Sequence, residues 1–278
     1  MKKVVLWLIA AVLTLSAVVY QRVTGPTHEK KIRTEMEGNT LRVDLIRSHV
    51  TTSDALVELE IPDTTIRGTL VFRRYPTGDP WRKHHMVRMK TDPEILAGVL
   101  PVQPAAGKLE YYVVLEKNDV IRTLPEESPV IIRFKDPVPD AVLVPHVFLM
   151  FLAMLFSTAA LLFALFRLPA YRSYTFVTFW FLLAGGMILG PIVQKFAFGS
   201  FWTGFPLGQD LTDSKTLIAF AGYLVAFLGN RKKERRTLTI MAAILLLLVY
   251  SIPHSLFGSE LDYEKGEIIQ GMIHTNWL

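Results

Sequence analysis

The sequence predicts an α-helical membrane protein of about five transmembrane helices, joined to an all-β sandwich domain on the outer face of the membrane. Three observations predict it. Of 278 residues 51% are hydrophobic and 20% are charged, and the two kinds are segregated along the chain. Several apolar runs approach the ~20 residues that a helix needs to cross a hydrocarbon core of ~30 Å. Clusters of Lys and Arg fall between those runs in a pattern with a single sidedness.

The first apolar run, Val4–Tyr20, follows Lys2 and Lys3. Its small-residue site, Thr14-Leu15-Ser16, matches a signal-peptide cleavage site loosely, which favours a retained anchor over residues 1–22. Further runs are Val142–Phe166, Tyr174–Val193, Thr216–Gly229 and Thr237–Ile252. Together they predict a four-helix transmembrane domain over residues 141–256 with a loop at 194–214. Lys2 and Lys3, then Arg167 and Arg172, then Arg231, Lys232, Lys233, Arg235 and Arg236 all lie on one side of such a path. The excess of Lys and Arg on cytoplasmic loops makes that side the cytoplasm of a bacterial cell and the membrane its inner membrane. The N-terminus is then cytoplasmic, and residues 30–138 and a C-terminal tail over 257–278 are periplasmic.

Residues 38–135 alternate with a period of two. Leu41, Val43 and Leu45 interleave with Arg42 and Asp44, and Ala55, Val57, Leu59 and Ile61 with Leu56, Glu58 and Glu60. Ile66–Tyr75, His85–Lys90, Leu109–Glu116, Val120–Leu124 and Val130–Phe134 are further runs, and Pro-Thr-Gly-Asp-Pro at 76–80 and Asn118-Asp119 are turn chemistry. Such spacing suits an antiparallel sandwich. The stretch from Pro104 through Tyr111-Tyr112 to Leu115 resembles the strand after the tyrosine corner of immunoglobulin-like and fibronectin-type domains, which implies an immunoglobulin-like sandwich and no activity. His84 and His85 are adjacent, so on a strand they point to opposite faces and cannot easily share a metal.

Composition excludes several functions. Cysteine is absent, which removes disulfides, thiolate metal sites, iron–sulfur clusters and covalent haem attachment. The net charge of +5 is accounted for by the cytoplasmic clusters rather than by nucleic acid. No phosphate-binding Gly-x-x-x-x-Gly-Lys loop, His-Glu-x-x-His or Gly-x-Ser-x-Gly is present, and no internal repeat suggests a secondary transporter.

The segment Gly190–Thr216 is the most unusual. Phe, Trp and Gly interleave in it and it ends in charges, as an interfacial segment would, since aromatic rings settle at headgroup depth. Thr216–Gly229 is too short to cross, at ~21 Å for 1.5 Å per residue. Its helix is therefore expected to begin near Asp210. The same reasoning draws Pro253 and His254 into the boundary. His146, Gln194, Lys195, Trp202, Asp210, Asp213, Lys215 and His254 then share one layer, and ionisable groups in such a layer are candidate binding residues. His146 and His254 on separate helices are candidate metal ligands through neutral imidazole. The Trp202 segment flanked by these two histidines resembles the Trp-rich periplasmic loop of cytochrome c assembly proteins, which implies haem handling. An aromatic pocket with His and Asp at the boundary equally suits a quinone. The motif Gly-Pro-Ile-Val-Gln at 190–194, with Trp-Thr-Gly at 202–204 and Asp-Leu-Thr-Asp-Ser-Lys-Thr at 210–216, resembles a family of uncharacterised bacterial inner-membrane proteins. The functional expectation is a non-enzymatic accessory subunit of an envelope complex, docking a protein partner through its periplasmic β domain. The alternative is a haem, metal or quinone binding subunit in electron transfer or cytochrome assembly.

Overall fold

The computed structural model describes residues 1–208, 210–253 and 258–269. Two compact units divide the chain. Met1–Pro26 and Val138–Ser259 form a helical unit, and Thr27–Pro137 and Glu260–Ile269 form a β unit.

The helical unit begins with α1 (Lys2–Thr24) and resumes with α2 (Asp140–Leu165). Next comes α3 (Tyr171–Phe181), which runs through a π-helical stretch at Leu182–Leu189 into α4 (Gly190–Phe198). It closes with α5 (Leu211–Asn230) and α6 (Arg236–Ser251). Helices form here because long apolar runs leave no other way to satisfy backbone groups away from water. Small side chains face inward: Ala153, Ala159, Ala160, Ala226, Ala242 and Ala243 are buried, which lets the backbones approach closely. Large apolar groups such as Val12, Val147, Trp180, Val225 and Leu248 are exposed instead, as expected of faces solvated by lipid. Several buried hydroxyls find partners within the helical unit. Thr158 donates to Met154 O at 2.9 Å, Thr175 to Tyr171 O at 2.8 Å and Tyr223 to Ser157 Oγ at 2.6 Å.

The β unit opens with a hairpin, β1 (Lys30–Met36) and β2 (Asn39–Leu45), in full antiparallel register from Lys30↔Leu45 to Met36↔Asn39. Its two-residue turn has φ of 48° at Glu37 and 81° at Gly38. Positive φ at both turn positions matches the right-handed strand twist, and Gly38 adopts it without steric cost. Next are β3 (Ser48–Val50), β4 (Ala55–Glu60), β5 (Arg67–Tyr75), β6 (Arg82–His85), β7 (Val87–Arg88) and β8 (Ile95–Leu100). The chain then forms β9 (Lys108–Lys117), β10 (Val120–Leu124) and β11 (Val130–Lys135). One six-stranded sheet runs β3-β11-β9-β5-β6 with β10 also on β9, and a three-stranded sheet runs β4-β8-β7. The core contains Leu45, Leu59, Leu70, Phe72, Tyr111 and Phe134, all at most 2% exposed. After α6 the chain adds a second hairpin to this unit, β12 (Glu260–Asp262) and β13 (Glu267–Ile269).

These findings correct the predicted fold. Among the described residues four helices, Lys2–Thr24, Asp140–Leu165, Tyr171–Phe198 and Leu211–Asn230, are long and apolar enough to cross a membrane. The expected fifth, α6, has 16 residues, ~24 Å at 1.5 Å each against a core of ~30 Å. The described strands fall into four sheets rather than one immunoglobulin-like antiparallel sandwich, and β3 pairs parallel with β11. The β-rich region precedes α2–α6, and its structure does not assign it to an outer face. Period-two alternation reveals strands but not their partners, so the sheet plan was beyond its reach. The expected single run His85–Lys90 is divided between β6 and β7, which belong to different sheets.

Candidate functional site

The sequence-predicted residues separate into a connected cluster and several outliers. The cluster surrounds the start of α5. Asp210 is its N-cap, and Oδ1 accepts from the backbone N–H of Thr212 at 2.8 Å and of Asp213 at 3.4 Å. A carboxylate at this position satisfies orphan donors of the first turn and complements the helix dipole. Its Oδ2 accepts from Ser259 N–H at 3.1 Å and from the Ser259 hydroxyl at 3.3 Å.

Asp213, three residues on, uses Oδ2 to accept from Thr203 N–H at 2.7 Å and Gly204 N–H at 3.1 Å. Gly204 is required there, because a Cβ would stand 2.5 Å from Asp213 Cβ and 2.8 Å from Ser214 N. Gln194 donates to the Thr203 hydroxyl. Lys215 donates to Ile252 O at 2.8 Å and Pro253 O at 3.3 Å. Gln194, Asp210, Asp213 and Lys215 are all buried.

In chemical terms this cluster organises backbone. Its two carboxylates and its ammonium are directed at main-chain groups of 203–204, 212–213, 252–253 and 259, fastening two connecting segments to one helix end. Sequence reasoning found the four charged or amide residues through helix-length arithmetic. It missed Thr203 and Ser259, whose hydroxyls give no pattern signal.

The other predicted residues lie elsewhere. Lys195 is exposed and donates to Gly199 O of its own helix end at 2.5 Å. Trp202 Nε1 donates to Phe205 O at 3.1 Å within the same loop. His146 lies on α2 with Nδ1 2.9 Å from Gly185 O in the π-helical stretch. A carbonyl only accepts, so Nδ1 carries the proton and Nε2 the lone pair. His254 lies outside the described residues, so its expected pairing with His146 does too. Among the described residues no group of three or more His, Asp or Glu is arranged to hold a metal ion.

A second site lies in the β unit. β6 forms an edge of the six-stranded sheet, paired only with β5 among the described strands, in the register Thr69↔His85 to Phe72↔Arg82. All four of its side chains, Arg82, Lys83, His84 and His85, are exposed. His84 and His85 point to opposite faces, as expected. The His84 ring meets Phe72 edge-on at 4.9 Å, and His85 Nδ1 is 3.3 Å from Thr69 Oγ1. Beside this strand the Arg73 guanidinium lies 4.4 Å over the Trp81 ring, which meets Tyr112 edge-on at 5.2 Å. Arg74 pairs with Asp79, a hydrogen bond that holds the Asp79 carboxyl below its ordinary value.

No family model, curated protein or solved structure matches the chain.

Proposed function

We propose that the chain is a multi-pass protein of a bacterial inner membrane that serves as an accessory subunit, docking a protein partner through its β unit. In this reading the N-terminus and the two basic loops are cytoplasmic, and the C-terminus is periplasmic. The distribution of Lys and Arg between the apolar helices supports that orientation.

The observation that carries the docking reading is β6. An edge strand offers a row of main-chain donors and acceptors on its unpaired side. An extended segment of a partner can add to such an edge, with main-chain hydrogen bonds supplying affinity and side chains supplying specificity. Arg82 and Lys83 select the strand that is admitted. They repel a basic or identical edge and attract an acidic one. Trp81 and Tyr112 add an aromatic surface next to the edge, a composition enriched where proteins bind each other.

The test is site-specific photo-crosslinking in cells that make the full chain. A probe at His84 or His85 is expected to give a discrete adduct, and one at exposed Ile121 on β10 is expected to give none. Arg82→Glu with Lys83→Glu is expected to abolish the His85 adduct while the protein level holds. Absence of any adduct along β6 would refute the reading.

A further inference from the structure

At one end of the helical unit, three helices are joined by buried polar contacts. Asn230, fully buried, is the last residue of α5. Its Oδ1 accepts from Arg235 N–H at 2.8 Å and from the Tyr171 hydroxyl at 3.3 Å. Its Nδ2 donates to Ala226 O at 2.8 Å, Thr239 Oγ1 at 3.3 Å and Arg235 O at 3.4 Å. Thr175 on α3 meets Thr239 on α6 at 2.9 Å, and the Arg172 guanidinium donates to Arg231 O at 2.7 Å. One amide side chain therefore closes the turn between α5 and α6 and ties it to the start of α3.

That pinned turn carries Arg231, Lys232, Lys233, Glu234, Arg235 and Arg236, five cations and one anion, all exposed. None of these cations takes part in an ion pair among the described residues. The helices leading into the turn expose Val225, Leu228, Met241, Ile244 and Leu248, so the turn directly follows surfaces that face lipid. Under the membrane reading its cations would stand at headgroup depth, within reach of phosphates held there by the bilayer.

We propose that the turn 231–236, with Arg172, is a binding site for anionic phospholipid headgroups. A polybasic segment immediately beside a membrane helix is attracted to an anionic leaflet, and guanidinium groups bind phosphate oxygens in a bidentate fork. The buried clamp of Asn230 gives the site its specificity, because cations on a closed turn lose little further freedom when they converge on one headgroup. The site rests on the membrane reading of the chain and is independent of the β6 docking surface.

The experiment is lipid analysis of the full chain purified from membranes in mild detergent. The ratio of anionic to zwitterionic phospholipid retained is expected to exceed that of the bulk membrane about fivefold. Lys232→Gln, Lys233→Gln, Arg235→Gln and Arg236→Gln together are expected to return it to the bulk ratio. Asn230→Ala keeps every charge but frees the turn, and an intermediate ratio is expected. Lys232→Arg with Lys233→Arg is expected to retain the enrichment. A wild-type ratio equal to bulk, or full enrichment in the fourfold Gln variant, would overturn the site while leaving the membrane reading intact. Release of the chain from membranes by alkaline carbonate would instead overturn the membrane reading itself.

Discussion

Lys108 Nζ stands 2.7 Å from Glu260 Oε2, an ion pair between residues 152 positions apart whose side chains are 14% and 3% exposed. It fastens the hairpin β12–β13 within the β unit. Tyr263 completes the attachment: its hydroxyl accepts from Lys108 N–H at 2.9 Å and donates to Lys108 O at 2.8 Å, and the Arg74 guanidinium lies 5.1 Å over its ring. Burial holds the Lys108 ammonium below its ordinary value and pushes the Tyr263 phenol up to about 12.

Removing one member of this pair leaves a buried charge less compensated. Lys108→Met takes away the ammonium that faces the buried Glu260 carboxylate and is expected to destabilise the β unit by about 3 kcal/mol. Lys108→Met combined with Glu260→Leu is expected to recover most of that loss, since a packed apolar pair can replace a buried ionic one. Urea unfolding of the full chain in detergent, with limited proteolysis of the hairpin, measures both.

Arg88 closes the unit's other connections. Its Nη1 donates to Ile61 O at 2.6 Å and to Pro93 O and Glu94 O at 3.2 Å, and Nη2 donates to Asp63 O and Ile66 O at 2.8 Å. An ammonium cannot span five carbonyls in a fork. Arg88→Lys is therefore expected to cost about 3 kcal/mol, from part-buried carbonyls of Ile61, Asp63 and Ile66 left without a charged donor. The loss is checked by a lower denaturation midpoint at unchanged m-value.

The hairpin β1–β2 responds to acid. Lys117 bridges Glu37 and Asp63, at 2.5 and 2.8 Å. Its hydrogen bonds hold both carboxyls below their ordinary values, and in turn raise the Lys117 ammonium. A carboxylate with a depressed folded pKa adds stability above its unfolded pKa of ~4, and that stability is lost as pH falls through the folded value. Stability is therefore expected to fall below about pH 4, and Lys117→Met is expected to lower stability at pH 7 and flatten the acid slope. Thermal melts between pH 7 and pH 3 decide it. The raised Lys117 pKa gives the opposite limit, with its contribution lost only as pH rises above ~10.5.

At the start of α5, Asp213→Ala removes the acceptor for two backbone N–H groups and is expected to cost about 2 kcal/mol. Asp213→Asn keeps an acceptor oxygen and is expected to cost less. Gly204→Ala is expected to be at least as damaging as Asp213→Ala, because its Cβ falls inside contact distance of Asp213. Melting temperatures of the three variants in one detergent rank them.

What was legible in the sequence follows from the kind of signal each element carries. The apolar helices announce themselves by composition, and helix-length arithmetic placed the start of α5 beside Asp210, where its cap lies. β1 gave little signal, because only Ile32 and Met36 are apolar in Lys30–Met36 and its pairing depends on the turn at Glu37-Gly38. The hairpin β12–β13 gave none. Its strands have three residues each, too few for a period, and they are held by Lys108 and Tyr263 across the fold. Lys195 shared a depth with Asp213 by arithmetic, yet its ammonium is directed at the carbonyl of its own helix end. Depth along a helix axis says nothing about the direction around it.

The pairing of Lys108 with Glu260 also fixes a parity. Both belong to one folded unit, so under the proposed membrane reading the chain that leaves that unit after Pro137 and rejoins it at Glu260 must finish on the side of the bilayer from which it set out. A path that returns to its own side crosses an even number of times. In that reading the helices on the path that are long and apolar enough to cross, α2, α3 continued through α4, and α5, supply three. Three is odd, so the path holds one more traverse or one fewer. The 16-residue α6 is the segment on which that parity turns.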